Sequence, residues 1–179
     1  MATPSEPPPV KLICGMISAQ KELLDQAADA MSDSFGPVDI VSEVTDFDLT
    51  DYYYDQMGRG LYRKFVSFAG LVDPGSLGRI KLRTNEIEAD FTRRYNYVPR
   101  PVNLDPGYLD ESKLVLATTK NYSHRIYLGQ GIYAEVTLLY RRKRWEALEW
   151  TYPDYASGRY DAFLTAARDS LRGPAGGKE

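Results

Sequence analysis

The chain has little of the chemistry from which most metal and nucleophile sites are built. It holds one cysteine, Cys14, and one histidine, His124, in 179 residues. A lone cysteine excludes an internal disulfide and an all-cysteine zinc site. No apolar run approaches the ~18 residues a membrane helix needs, and the N-terminus lacks a signal-peptide core. The expectation is a soluble, cytoplasmic protein with no membrane partner. Charge of one sign is not in excess either. Lys and Arg number 22 against 25 Asp and Glu, a net −3, which disfavours a nucleic-acid partner. There is no G-x-x-x-x-G-K-[ST] phosphate loop and no nucleophile elbow, so P-loop hydrolysis and acyl transfer are disfavoured.

Tyrosine, by contrast, is abundant, at 14 residues. Flat rings with polar tips suit a pocket or an interface. An apolar content of 43% and a charged content of 26% are those of a globular chain, and the length is that of one domain. We divide it into a disordered Pro-rich leader (1–9), a single globular domain (10–171) and a flexible tail (172–179).

The hydrophobic pattern gives the order of elements. Val10–Ile17 reads as a buried strand with Ser18 as the following N-cap, and Lys21–Phe35 as a helix stopped by Gly36-Pro37. Strands follow at Val38–Val44 and Leu61–Phe68. Asp73-Pro74 starts a long helix with Leu77, Ile80, Thr84, Ile87, Phe91 and Tyr95 as its apolar stripe. On that helix Lys81, Asn85 and Glu88 read as a solvated flank. Asn103–Gly107 carries the Pro-Gly signal of a type II turn. Lys113–Ala117 reads as a short helix. A final helix buries Tyr160, Phe163, Leu164 and Ala167.

Gly129-Gln130-Gly131 marks a hairpin. A three-residue loop pairs Leu128 with Ile132, Ile126 with Ala134 and His124 with Val136 on a buried face. It sets Tyr127 across from Tyr133 and Arg125 across from Glu135 on the other. Slipping by one residue would mix the faces. A third meander strand runs through Trp145, Leu148, Trp150 and Tyr152. The Arg141–Arg144 turn before it could meet RNA phosphates, but serves better as a charged turn that guards a sheet edge. The fold class is α+β, a single domain with a mainly antiparallel sheet and helices on one face. Its core is ferredoxin-like with a C-terminal hairpin and meander extension. The alternative is a three-layer α/β sheet.

Six segments carry a resemblance: DYYYDQMG at 51–58, TNEIE at 84–88, VNLDPGYL at 102–109, KLVLATTKNYSHRIYL at 113–128, GIYAEVTL at 131–138 and WTYPDY at 150–155. In these the chain resembles a prokaryotic family catalogued as domain of unknown function 4416. Proteins resembling it are often labelled GTP-binding. The residues do not support a GTPase, because the guanine-reading Asn-Lys-x-Asp motif is missing and Thr119-Lys120-Asn121-Tyr122 is at best a remote echo.

Thr118, Thr119, Lys120, Asn121, Ser123, His124 and Arg125 concentrate hydroxyls, amides and cations, a composition suited to phosphate or carboxylate. The expectation is a module for a small anionic ligand, with a nucleotide as one candidate. Lys120, His124 and Arg125 form its anion end, Asn85 and Asn103 are polar neighbours, and Tyr127 or Tyr133 is a stacking surface. A hydrolase or transferase with His124 as general base, oriented by Asp105, is the alternative. Asp46, Asp48 and Asp51 are candidate ligands for a divalent metal, although the segment also reads as Asx-type turns. A homodimer through a Tyr-rich face is the third reading.

Overall fold

A computed structural model describes residues 3–172. Residues 3–9 carry no regular element. The rest of the expected leader, and residues 173–179 of the expected tail, lie outside the described residues. Strand β1 (Val10–Ser18) is buried along its whole length, which explains its nearly unbroken apolar run. Leu12, Cys14 and Met16 face helices α1 (Lys21–Phe35) and α3 (Leu77–Arg94). Ile13 faces the opposite way, toward Phe65 and the C-terminal helix α5 (Asp161–Asp169). Ser18 is the last residue of the strand, not the N-cap. Gln20 holds the cap, and Ser18 Oγ accepts from the Gln20 N–H at 3.1 Å.

β2 (Val38–Val41), β4 (Tyr62–Val72), β1 and β5 (Asn103–Leu109) lie side by side in the order β2-β4-β1-β5, every pair antiparallel. With α1 and α3 sharing one face, this is the expected ferredoxin-like α+β arrangement. The same sheet continues through β6 (Lys113–Thr118), β8 (Ile132–Arg141) and β7 (Ile126–Gly129). Short β3 (Thr45–Asp46) pairs with β4, and β9 (Arg144–Ala147) with β8. The three-layer alternative needed parallel neighbours, and all pairings are antiparallel. α5 covers the face that α1 and α3 leave free, through Phe163, Leu164 and Ala167, so helices lie on both faces of the sheet and not on one as expected. Two single-turn helices, α2 (Tyr54–Met57) and α4 (Pro153–Ala156), flank the cavity described below.

Two local signals misled. Asn103–Gly107 is strand, not a type II turn. Pro106 stands just where β5 stops pairing with β6, so no bond to that strand is lost for want of an N–H. Gly107 serves a close approach, because a Cβ there would stand 2.5 Å from Val115 O. Lys113–Ala117 is strand β6, not a helix. Short apolar runs fit either structure, and burial on both faces decides for strand.

The hairpin pairs Ile126 with Ala134 and Tyr127 with Tyr133, as expected. At the tip the register shifts and Gly129 pairs with Ile132. This leaves Gln130 and Gly131 at φ 53° and 78°, a two-residue turn, in place of the three-residue loop. The expected burial holds for Ile132 and Ala134 but not for β7, where Ile126 is 69% exposed. β7 is the end strand, and no described strand pairs with its outer side. The meander strand ends at Ala147, earlier than expected, and Arg141–Arg144 forms its turn.

Candidate functional site

β5 and β6 pair only from Gly107 to Leu109 and then part. Beyond that point Asn103–Asp105 bond to β1 alone, while Ala117 and Thr118 pair with β8. The gap opens a cavity of about 520 Å³, within the usual range of ligand pockets. Lys81 reaches it from α3 on the far side of the sheet. Its Nζ donates to Leu104 O at 2.6 Å and stands 3.9 Å from both Glu88 Oε1 and Asp105 Oδ1. Lys81 and Glu88 are therefore buried, and the solvated flank expected for them is corrected. The parted strands give Lys81 somewhere to go.

Arg63 enters from β4 and is 2% exposed. Its Nη2 donates to Tyr155 Oη at 2.8 Å and its Nη1 to Asp105 Oδ2 at 3.4 Å, with Asp154 Oδ2 3.8 Å away. The guanidinium lies 4.7 Å from the Phe65 ring and 5.3 Å from that of Tyr155. Gly15 leaves the room for it, since a Cβ there would be 2.8 Å from Nη2. Burial works against the charge, but Tyr155, Asp154 and Asp105 outweigh it and hold the pKa above its ordinary value.

Asp105 Oδ2 also accepts from Asn103 Nδ2 at 2.6 Å. Arg100 donates twice to Glu88 Oε2, at 3.0 and 2.7 Å, and Glu88 Oε1 accepts from the Leu104 N–H at 2.7 Å. Glu88 thus fixes both Arg100 and the start of β5.

Lys120 and Arg125 stand at the mouth. Thr118 Oγ1 accepts from the Lys120 N–H at 3.2 Å, and Lys120 Nζ donates to Tyr52 Oη while lying 3.9 Å from that ring's centre. Arg125 donates from Nε to Glu135 Oε2 (2.7 Å), from Nη1 to Lys120 O (3.0 Å) and from Nη2 to Tyr152 Oη (2.7 Å). Burial, with Glu135 nearby, pushes the Tyr152 phenol up to about 12, and burial likewise raises that of Tyr53. Both rings line the cavity as neutral hydrogen-bonding surfaces.

Of the residues singled out in the sequence, Asn103, Asp105, Thr118, Thr119, Lys120 and Arg125 meet in this cavity. His124 does not line it. Its Nε2 meets Glu135 Oε2 at 3.0 Å from the outer side, and its ring stacks on Trp150 at 4.9 Å and 9°. Asp105 is engaged with Asn103 and Arg63, so the His124–Asp105 pairing is replaced by His124–Glu135. Arg125 and Glu135 meet as the register implied, and the pair is buried. Asn85 lies away from the cavity on α3. Tyr127 and Tyr133 pack on each other at 5.1 Å on the outer strands, and the stacking surface falls to Tyr52, Tyr53 and Tyr152 instead.

Asp46 is exposed on β3, and Asp48 is held by Arg159 Nη1 at 2.8 Å. Among the described residues no three His, Cys, Asp or Glu side chains gather as a metal site would require.

Sequence reasoning missed Arg63, Lys81, Arg100 and Glu135 as parts of one site. The available signal was charge in otherwise apolar elements: Arg63 within a buried strand, and Lys81 and Glu88 beside an apolar stripe.

The family model for Domain of unknown function (DUF4416) matches residues 8–171, and the chain belongs to that family. No curated protein and no solved structure matches it. No helix among the described residues is long and apolar enough to cross a membrane.

Proposed function

We propose that this member of the DUF4416 family is a binding module for a small anionic ligand, with a nucleotide as the class that suits its walls. The observation that carries the reading is the charge of the cavity. Arg63, Lys81, Arg100, Lys120 and Arg125 line it against three carboxylates, Asp105, Glu135 and Asp154, with Glu88 behind Arg100 and Lys81, in a chain whose net charge is −3. Lys120 is the lining cation that has no carboxylate partner among the described residues. The Thr118 and Thr119 hydroxyls beside it supply orientation. The tyrosine rings offer faces to a planar group. We place the protein in the cytoplasm, where phosphorylated metabolites are plentiful.

The test is a thermal-shift screen of the purified protein against nucleotides, sugar phosphates, carboxylates and divalent metals. A ligand that binds only the native state raises the melting temperature. The expected result is a rise with a phosphorylated class that is lost in Lys120→Ala. No shift with any compound at millimolar concentration overturns the reading.

A second reading, self-association, draws on the exposed Ile126, Tyr127 and Leu128 of the end strand β7. Unpaired strand edges favour pairing with another chain. A monomer by light scattering at high concentration would rule it out.

A further inference from the structure

The cavity has two chemically different ends, and this inference rests on the binding reading above. At the mouth, Lys120 presents an ammonium whose one side-chain partner among the described residues is a phenol. At the floor, Lys81 Nζ has one hydrogen bond for three donors, to Leu104 O. The residue is 4% exposed yet lines the cavity. Asp105 uses Oδ2 for Asn103 and Arg63, while Oδ1 makes no hydrogen bond among the described residues and stands 3.9 Å from Lys81 Nζ. A buried donor with unused N–H groups and an acceptor with unused lone pairs therefore stand side by side. For the buried Lys81, unfilled hydrogen-bonding capacity of this kind is costly unless a ligand or water meets it, and the Asp105 side chain, 25% exposed, is open to the cavity.

The pair is selective by its signs. A phosphate seated on Lys81 would press against the Asp105 carboxylate, and a cation on Asp105 would press against Lys81. A neutral group that accepts at one atom and donates at the next satisfies both. Nucleobase edges have this character, and so do the hydroxyls of a sugar.

We propose that Lys81 and Asp105 form a specificity floor for a neutral donor–acceptor group of the ligand, whose anionic group is held at Lys120 in the mouth. The ligand thus enters neutral end first. Asp105 acts as a filter that keeps anions off the floor. Glu88 and Asn103 are positioning residues, the first through Lys81, Arg100 and Leu104 N, the second through Asp105.

The experiment is calorimetric titration of the intact protein with four probes: uridine 5′-monophosphate, uridine, ribose 5-phosphate and inorganic phosphate. Lys120→Ala should weaken every phosphorylated probe about tenfold and leave uridine unchanged. Asp105→Asn should weaken the neutral-ended probes by a similar factor and strengthen inorganic phosphate, because the floor would then admit an anion. Loss confined to the uridine compounds assigns the floor to a base edge. Equal loss with ribose 5-phosphate assigns it to sugar hydroxyls.

Lys81→Met is the companion variant. Its far-ultraviolet spectrum and melting curve establish folding, and it should reproduce the loss for neutral ends without the gain for phosphate. If phosphorylated probes bind and respond to Lys120→Ala, but Asp105→Asn changes none of them, the two-ended floor is wrong and the binding module stands. If Lys81→Met weakens inorganic phosphate as much as the larger probes, the anion sits on the floor and the orientation is wrong. If wild-type protein binds none of the probes, the two-ended floor falls, and the binding module falls with it only where the thermal-shift screen is also negative.

Discussion

Arg125 Nε donates to Glu135 Oε2 at 2.7 Å, with only 9% and 1% of the two side chains exposed. The pair ties the β6–β7 connection to β8, and the other Arg125 donors tie in Lys120 O and Tyr152 Oη. It organises the mouth of the cavity.

Removing one partner of a buried pair leaves the other charge uncompensated, at roughly 3–5 kcal/mol. Glu135→Ala should lower the unfolding free energy by that order in urea denaturation, because it strands Arg125 and frees His124 together. Arg125→Ala should cost less, since His124 Nε2 still meets Glu135 Oε2. The reverse ranking would show that the Arg125 bridges to Lys120 and Tyr152 dominate.

His124 bears on Glu135 from outside the cavity and stacks on Trp150. His124→Gln should therefore leave ligand affinity within about twofold, a change on the order of 0.4 kcal/mol. Loss of a measured turnover with binding intact would instead favour the hydrolase or transferase alternative.

Gly15 and Gly107 separate two kinds of crowding. A Cβ at Gly15 would meet side chains, Arg63 and Phe65, at 2.8 Å, and one at Gly107 would meet the Val115 carbonyl oxygen at 2.5 Å. Gly15→Ala should destabilise by roughly 1–3 kcal/mol as Arg63 is displaced. Gly107→Ala should cost more, since a backbone strand must move and β5–β6 pairing is already short. Melting temperatures of the two variants provide the comparison.

Asp39 supplies a pH dependence. Burial raises its pKa, but hydrogen bonds from Lys11 and from Ser67 Oγ, the latter at 2.6 Å, outweigh this and hold it below the ordinary carboxylate value. A depressed folded pKa means stability that is present above about pH 4 and lost as pH falls through the folded value. Acid titration of the unfolding free energy should show a steeper loss below about pH 4 in wild type than in Asp39→Asn.

Cys14 is 1% exposed, and burial foremost, with Asp105 adding to it, pushes its thiol pKa well up. A neutral, enclosed thiol does not react. The single cysteine should resist Ellman's reagent in the native protein and label fully in denaturant. Rapid native labelling would show that the core around β1 opens.

The ferredoxin-like order was legible because each of its elements carries its own pattern. β1 is apolar throughout, α3 has a stripe from Leu77 to Phe91, and Ile126–Ala134 pairing follows from the alternation in β8. Half of the cavity was legible as well, since Thr118 to Arg125 is a dense run of polar groups. What the sequence could not decide was which charges leave solvent. Lys81 and Glu88 have the spacing of a wet helix flank, and only the parting of β5 from β6 turns them inward. Asn103–Gly107 has the residues of a turn, and only the flanking β1 extends it into strand. Local preference is worth less than the burial of a strand between neighbours, and that burial exists only once distant segments meet. The residues set the elements and their chemistry; tertiary structure chose the partners of each charge.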